Sequence, residues 1–510
     1  MDPRKVLSQG LTPILIVGVN NDPSRISRLT APAAIGERSG SSWLSWVALV
    51  AALLVSGCKH FQPVPLAADE AAGNFDARSM ADLEFKAFLE KNLGHAVAPW
   101  PLPSWDFPTL TLAAFYFHPS LAVARAQWNV AKAGVVTAGG HPNPVVTVTP
   151  GYNFSAASGV SPWMPSVNLD VPIETAGKRG HRLARARQLS ESARLNIAAA
   201  AWQVRSALRL SLVEFAAASR QITLLEGQRE IQQQLALLLE QRLASGAASA
   251  TEVTPARIAL IKSAADLGEA RRRKVEARAR VAEAAGLPLR ALEQADLYFD
   301  LSAGSEIPKE LSSTDLRHQA LRNRPDLLAS LSEYAAAQSA LQLEIARQYP
   351  DVHIGSGYQW DQGESKWSLG LSLELPVRNR NQGPIAEAEA KRAEVAARFV
   401  ALQARVLAEI DRAVANHAAV QDQLREGDQL VQTQQKQLQS IAAALQAGGA
   451  DQLDLRTGQA EAALGELARL DMLVKTQLAV GQVEDALQRP FDALGVIEHA
   501  GSGPERKEQP

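Results

Sequence analysis

The chain of 510 residues is long enough for several domains, and its hydrophobic fraction of 46% is that of an ordinary globular protein. Its 52 basic and 54 acidic residues are interspersed and give a formal net charge of -2, which excludes the basic footprint of a nucleic-acid-binding protein. The single cysteine excludes an internal disulfide and a thiolate metal cluster.

The first element in chain order is an apolar run, Trp43 to Val55, which follows several arginines and is too short to span a bilayer. This is the layout of a signal peptide. The sequence Val55-Ser56-Gly57-Cys58 resembles a bacterial lipobox, which implies cleavage before Cys58, its acylation and, with Lys59 next, an outer-membrane destination. The alternative is a buried structural cysteine behind a short membrane anchor. The 42 residues before the run favour a translation start further downstream.

From residue 118 onward the chain consists of two similar halves. His118-Pro119 opens one helical segment, and Arg324-Pro325 opens another 206 residues later. Three later pairs of landmarks keep the same order, at offsets between 202 and 208: His141-Pro142 with Tyr349-Pro350, Val171-Pro172 with Leu375-Pro376, and Leu243 to Val253 with Leu445 to Leu455. Since this period is far too long for a solenoid, the pattern indicates duplication of a half-protein.

Each half contains two segments in which apolar and polar residues alternate, as they do in a β-strand with one buried face. The predicted strands are 145–154 and 167–171 in the first half, and 352–360 and 367–375 in the second. Turns predicted at Ser155 to Pro165 and at Asp361 to Lys366 complete two β-hairpins.

A long helix follows each hairpin, from about Gly180 to Leu243 and from about Pro384 to Leu445. At a rise of ~1.5 Å per residue, each is on the order of 95 Å long. Apolar positions set among charges predict coiled-coil packing against neighbours. A glycine-containing break then precedes a return helix, at roughly Ser249 to Ala285 and Asp451 to Leu487, and the polar tail from Gly501 is predicted to be disordered.

The predicted strands have the length needed to cross a membrane, since a tilted strand needs ~9–11 residues. A soluble sheet lying on a core is the alternative, but the long polar helices offer little cover for it. Aromatic side chains also cluster at the hairpin tips, as in an interfacial girdle: Tyr152, Phe154, Trp360 and Trp367. Four strands cannot close a barrel, so copies must share one. Two chains would supply eight strands, and side chains would then fill the interior of the barrel. Three chains supply twelve strands and leave a lumen, so three chains are favoured.

The segment Val171 to Arg182 resembles the strand-to-helix junction of the TolC family of outer-membrane efflux proteins, in particular its CzcC-like, heavy-metal branch. The junction motif residues are Pro172, Gly177, Lys178 and Arg179, and the second half departs from the motif at Arg378 to Gly383. The resemblance extends from His118 to Asp492. It implies an α+β membrane protein in which two tandem repeats each give a β-hairpin to a trimeric 12-stranded transmembrane barrel and long coiled-coil helices to a periplasmic helical barrel.

The resemblance implies a passive exit duct of a tripartite RND-type efflux system that exports heavy-metal cations. The implied location is the outer membrane, with a lipid anchor and an extension into the periplasm. The implied partners are two further copies of the chain, a periplasmic adaptor, an inner-membrane RND pump and outer-membrane lipid, with no nucleic acid. Two alternatives stay open: a channel for drug efflux or type I secretion, since the pump selects the cargo, and a periplasmic coiled-coil structural lipoprotein.

The predicted domains follow from these elements. They are a signal peptide at 1–57, an N-terminal periplasmic linker at 58–108, a first efflux repeat at 109–300, an inter-repeat linker at 301–316, a second repeat at 317–492 and a tail at 493–510.

No residue set in the sequence indicates an enzyme, a cofactor or a dedicated metal site. Gly177-Lys178 lacks the first glycine and the Ser or Thr of a phosphate loop. The nine histidines are scattered, without metal-ligand spacing on a helix face. His353 lies on the polar face of a predicted strand, where it could contact a passing cation. A solvated residue with no such role is the better interpretation.

Function is expected instead at the two turns between long and return helices, where a tunnel must close at rest and meet its partner. The candidates are Arg242, Leu243, Gly246, Glu252 and Val253 in the first half, and Leu445, Gly448, Asp451, Asp454 and Leu455 in the second. One interpretation is simple capping and turn formation, with Asp451 as an N-cap. The other assigns the Gly and Leu positions to an adaptor hairpin, and Glu252, Asp451 and Asp454 to acidic constrictions that select cations.

Overall fold

The computed structural model describes residues 59–304 and 313–491. Cys58, the predicted signal peptide and the predicted tail therefore lie outside the described residues. The described residues from Ala68 onward form one compact unit. Within the described ranges, no helix is long and apolar enough to cross a membrane.

The elements follow the predicted order twice. A short N-terminal part comes first: α1 (Ala68–Asp76), α2 (Leu83–Leu93) and β1 (Ser104–Trp105). The first repeat comprises α3 (Phe107–Phe117), α4 (Pro119–Gly139), β2 (Val145–Thr149), β3 (Ser166–Ile173), α5 (Lys178–Ala244) and α6 (Ala250–Ala285). After β4 (Asp296–Leu297), which pairs in parallel with β1, the second repeat comprises α7 (Ser313–Asn323), α8 (Pro325–Ala346), β5 (Val352–Asp361), β6 (Glu364–Leu373), α9 (Gln382–Gln446) and α10 (Gln452–Leu487). The predicted long and return helices are confirmed.

The helix starts have local causes in the sequence. Asp106 caps α3, where its Oδ1 accepts a hydrogen bond from the Thr109 N–H at 3.0 Å. Pro119 and Pro325 occupy the first positions of α4 and α8, where the missing N–H has no intrahelical acceptor to lose.

The two predicted hairpins are confirmed, and they join into one antiparallel sheet of order β2-β3-β5-β6. The largest corrections concern two predicted boundaries. The first strand ends at Thr149 rather than Phe154, because Pro150 has no N–H to donate, and beyond it a single bridge joins Tyr152 to Trp163. The second turn is the two residues Gln362 and Gly363, both with positive φ, because such a turn matches the twist of the two strands.

The apolar face of this sheet has no cover among the described residues. The strand register aligns apolar side chains in rows across the sheet, for example Val171, Ile354 and Leu371. On β6, Trp367 is 79% exposed and Leu369 is 80% exposed. The outer edges of β2 and β6 also have no strand partner within the described chain. The sheet is therefore incomplete in a single copy.

The hydrophobic cores lie among the helices instead. The larger one packs α2 and α3 against α5 and α6, and its fully buried members include Phe85, Leu110, Phe115, Leu208, Leu212 and Val281. A second core joins α7 and α8 to α9 and α10 around Leu316, Leu327, Val406, Ile410 and Val483. Each core thus packs the helix hairpin of one repeat against shorter helices that precede it in the chain.

Gly286 at the end of α6 tests this packing. Its φ is +71°, and an added Cβ would lie 2.6 Å from the Cα of His118. We expect Gly286→Ala to lower the free energy of unfolding by about 2 kcal/mol or more, because it combines backbone strain with a clash against backbone. Denaturant unfolding of purified protein in detergent measures this change.

Gly268→Ala is the matched control, because Gly268 lies inside α6 and an added Cβ meets nothing within 4 Å. Removing a helical glycine there should raise stability by about 0.5–1 kcal/mol. Equal effects of the two alanines would show that the contact at His118 is not close-packed.

Candidate functional site at the strand-to-helix junction and the helix tips

The strand-to-helix junction of the first repeat binds the helix-to-strand junction of the second, between α8 and β5. Lys178, 7% exposed, donates from Nζ to the Tyr349 carbonyl and to Asp351 Oδ1, each at 2.7 Å. Thr175 donates its N–H to Asp351 Oδ1 at 2.9 Å and its hydroxyl to the Pro350 carbonyl at 2.6 Å. Burial raises the pKa of Asp351, but the bonds from Lys178 and Thr175 outweigh it, so the pKa lies below its usual value.

The same motif also binds the helix that enters the first hairpin. Arg179 Nε donates to the Gly139 carbonyl at 2.7 Å, and Arg182 donates to the Gly140 carbonyl at 3.2 Å while it pairs with Glu174. The motif residue Pro172 lies inside β3, opposite His353, where β3 has already passed the end of β2. It therefore interrupts no hydrogen bond to β2.

Positive φ at the helix N-caps explains the glycine of the motif. Gly177 has φ +70° and precedes α5, whereas Asn381 has φ +62° and precedes α9. Asparagine tolerates this conformation better than most side chains. It also donates from Nδ2 to the Glu344 carbonyl at 2.7 Å, so the second repeat closes its own junction by another route.

At the first helix tip, the candidate residues cap and pack the turn. Ser249 donates its hydroxyl to Glu252 Oε1 at 2.8 Å, which places the Glu252 carboxylate at the N-terminus of α6. Val253 is 1% exposed and packs in a cluster with Ala236, Leu239 and Ala256, against which Leu243 lies half-buried. Gly246 has φ +76° and ends the preceding helix.

The second tip is built in the same way. Asp451 Oδ1 accepts from the N–H groups of Leu453 at 2.7 Å and Asp454 at 3.0 Å, and Asp454 accepts from the Asp451 N–H at 2.9 Å. This is a complete capping box, with both acids engaged. Gly448, with φ +82°, makes the turn, while Leu445 and Leu455 are half-buried.

An ion pair joins the two tips. Arg242 Nη2 donates to Asp451 Oδ2 at 2.5 Å, across 209 residues of sequence. The hydrogen bond from Arg242, together with the cap bonds, lowers the pKa of Asp451 from its ordinary value. Two of the predicted site residues are thus brought together, which makes Asp451 both a helix cap and an inter-repeat partner.

Sequence reasoning missed a buried polar cluster between α5 and α10. Arg205 pairs with Glu484 at 3.0 Å, both side chains being 5% exposed, and Asp485 accepts from Trp202 Nε1 at 2.9 Å and from the Ser206 hydroxyl at 2.6 Å. Burial raises the pKa of Asp485. The partners lie about 280 residues apart in sequence, so no local pattern could have matched them.

His353 also has a partner that the sequence did not indicate. Its Nδ1 lies 2.9 Å from Asp170 Oδ2 on the neighbouring strand. Among the described residues, no group of three or more His, Cys, Asp or Glu side chains is arranged to hold a metal ion. The pair is therefore a cross-strand contact on the polar face of the sheet.

Comparison with known proteins agrees with this two-repeat architecture. The model of the family described as outer membrane efflux protein matches residues 113–287 and 316–487, which are the two repeats. The chain belongs to the outer membrane efflux protein family. The predicted resemblance and the TolC-like fold are confirmed, and the family is one of outer-membrane channels rather than enzymes.

Three relatives illustrate the likeness. The cobalt-zinc-cadmium resistance protein CzcC of Cupriavidus metallidurans is 25% identical over 267 residues, which are 52% of this chain and 61% of that protein. The match thus spans about three fifths of this relative. The outer-membrane protein VceC of Vibrio cholerae superposes with a TM-score of 0.61 at 19% identity, over 76% of this chain and 97% of VceC. The outer-membrane channel OprN gives 0.63 at 18% identity, over 85% and 99%.

The junction contact allows a direct test of its strength. We expect Lys178→Met to lower the free energy of unfolding by about 2 kcal/mol, because it leaves Asp351 without its cation in a half-buried site. Lys366→Met is the matched control, since Lys366 pairs with Asp361 at 2.6 Å but is 50% exposed, and such pairs contribute about 1 kcal/mol or less. Denaturant midpoints of the two variants in detergent are compared. An unchanged denaturant midpoint for Lys178→Met would show that the junction contact does not contribute to stability.

Proposed function

We propose that the chain is the outer-membrane exit duct of a tripartite RND-type efflux system. The observation that carries this proposal is the incomplete sheet, whose uncovered apolar face and unpaired edges sit above two helices of 67 and 65 residues. Each helix is about 100 Å long at ~1.5 Å per residue. A hydrocarbon layer would cover the apolar face, and further copies of the chain would pair the edges.

Three copies are the proposed assembly, because twelve strands leave a lumen and the helices then form a tunnel beneath it. The homotrimer would work with a periplasmic adaptor and an inner-membrane RND pump, as family membership supports. A lipid anchor at Cys58 completes the proposed attachment. The proposed cargo is heavy-metal cations, on the support of the cobalt-zinc-cadmium resistance relative.

Reconstitution into planar bilayers tests the channel. We expect purified protein to give discrete conductance steps at low frequency, because the tips are held together at rest. Deletion of the gene should also lower resistance to cobalt, zinc or cadmium. A protein without conductance would contradict the channel, whereas conductance without metal sensitivity would favour drug efflux or protein secretion as the cargo.

The proposed gate lies at the helix tips. We infer that the Arg242 to Asp451 contact holds the two repeats together at the closed end, and that the turn positions Leu243, Gly246, Leu445, Gly448 and Leu455 receive the adaptor. Val253 would support this surface from the core. The carboxylates of Glu252, Asp451 and Asp454 would line the constriction when the tips separate and favour cations.

We expect Arg242→Gln to raise the open probability in bilayers several-fold, because a neutral amide loses the charge-assisted bond to Asp451. Arg257→Gln is the matched control: Arg257 pairs with Glu240 at 2.7 Å near the same tip, but within one repeat.

The double variant Asp451→Ala with Asp454→Ala should in addition lower cation selectivity. If neither conductance nor selectivity changed in the double alanine variant, the acidic constriction would be abandoned.

The pH dependence has a defined sign. Because Asp451 has a lowered pKa in the folded protein, its ion pair is present above the ordinary value of 3.8 and is lost only as the pH falls through the lower, folded value. Because this ion pair is intact at pH 7 and at pH 5, we expect the channel to have the same open probability at both values. A rise between these two values would assign the gate to another titrating group.

A further inference from the structure

In the described part of the chain, the four junctions between a helix and a strand of the four-stranded sheet lie at one end of that sheet. We define this region, the sheet foot, as residues 139–144, 174–182, 347–351 and 374–381. Hydrogen bonds join three of the junctions: Thr175 to Pro350, Lys178 to Tyr349, and Arg179 to Gly139. The fourth, at Asn381, is tied to the end of α8 through Glu344. The sheet foot is therefore one connected region at the helix-side end of the strands.

The sheet foot is cationic, although the whole chain is slightly acidic. The four segments of the foot contain six Lys or Arg residues and three acidic residues. The carboxylates of Glu174 and Asp351 are already occupied by Arg182 and Lys178. The basic residues beyond these pairs are in excess, so the foot carries positive charge toward solvent.

Two arginines of the last junction are the most available. Arg378 and Arg380 are exposed, and within the described part of the chain neither guanidinium has a carboxylate partner. The same junction contains one acid, Glu374, against these two arginines. Their guanidinium groups can each present several N–H donors to an anion in a planar fork.

The opposite end of the sheet has the reverse character. Residues 150–165 contain no charged side chain, and beside the second turn Lys366 of β6 pairs with Asp361 of β5. Aromatic rings pack there instead, with ring centroids 5.1 Å apart for Tyr152 and Trp163 and 5.0 Å apart for Tyr358 and Trp367. The excess of cations is thus confined to the helix side of the sheet.

The arginines continue an uncovered apolar strip. Leu373, Leu375 and Val377 follow the apolar positions of β6, and the last two are 71% and 77% exposed. Arg378 and Arg380 come directly after them. A ligand that fits this order has apolar chains along the strand and an anionic group at the foot, which describes a phospholipid better than a free phosphate.

We infer that the sheet foot binds anionic phospholipid headgroups in the leaflet on the helix side, with Arg378 and Arg380 as the main contacts. This inference rests on the proposed function, which places the sheet in a bilayer. The cations would fix the depth of the sheet in the membrane, because a shift along the strand axis would carry guanidinium groups into hydrocarbon or apolar side chains into water.

The test measures lipid preference of the purified oligomer. Protein is equilibrated in mixed micelles with equal amounts of phosphatidylglycerol and phosphatidylethanolamine, and bound lipid is counted by native mass spectrometry. We expect the wild type to be enriched in phosphatidylglycerol, and R378Q/R380Q to lose that enrichment by about tenfold. Raising the salt concentration should weaken the preference of the wild type.

The matched control is R229Q/R412Q. It removes the same charge from two exposed arginines on α5 and α9, about 75 Å and 45 Å along the helices from the foot at ~1.5 Å per residue, and it should keep the wild-type preference. No preference in the wild type, or equal losses in both double variants, would overturn the inference. Conductance of the same preparations separates this outcome from failure of the channel, because pores without lipid preference leave the proposed function intact.

Discussion

Backbone hydrogen bonding at the two outer sheet edges constrains the rest of this molecule. Strands β2 and β6 each present a row of N–H and C=O groups that the described chain does not pair, and such groups cost several kcal/mol each in hydrocarbon. In the proposed channel, other copies of the chain pair those edges. The apolar rows of the same strands require lipid or another apolar cover. The helical part must in turn hold the strands in position without covering them.

The helices meet this requirement through contacts between the repeats. At the sheet, Lys178 of the first repeat reaches the second at Asp351. Midway, Arg205 and Glu484 form a buried pair between α5 and α10, and at the tips Arg242 reaches Asp451. These polar contacts have strict geometry, so they define how one helix hairpin registers on the other, whereas apolar packing alone tolerates sliding.

The repeats are related but not equivalent. Arg324 of the second repeat donates to the Ala486 carbonyl at 2.6 Å, near the end of its return helix. In the first repeat the corresponding bond, to the Gly286 carbonyl, comes from Arg78 at 2.6 Å, in the segment before the repeat. The N-terminal part thus supplies a contact that the second repeat makes for itself, which explains why the first repeat packs against α2 and β1.

Local sequence determined the elements of this protein. The alternation around Val352 and Leu369, the proline-free runs after Gly180 and Pro384, and the glycine-containing breaks fixed strands, helices and turns, because each depends on residues within a few positions of one another. The duplication was equally visible from repeated landmarks. Boundaries were less certain at Thr149 and Gln362, where one proline or a two-residue turn decided the ending.

Tertiary structure alone decided which charges meet. Asp451 was recognisable as a helix cap from its position, but its pairing with Arg242, and those of Lys178 with Asp351 and Arg205 with Glu484, join residues more than 170 positions apart. Such pairs leave no periodic trace in one sequence, since any of the many acids on the long helices would serve equally well. Folding chooses among them through the packing of the helices, and that choice places the cations of the junctions together at one end of the sheet.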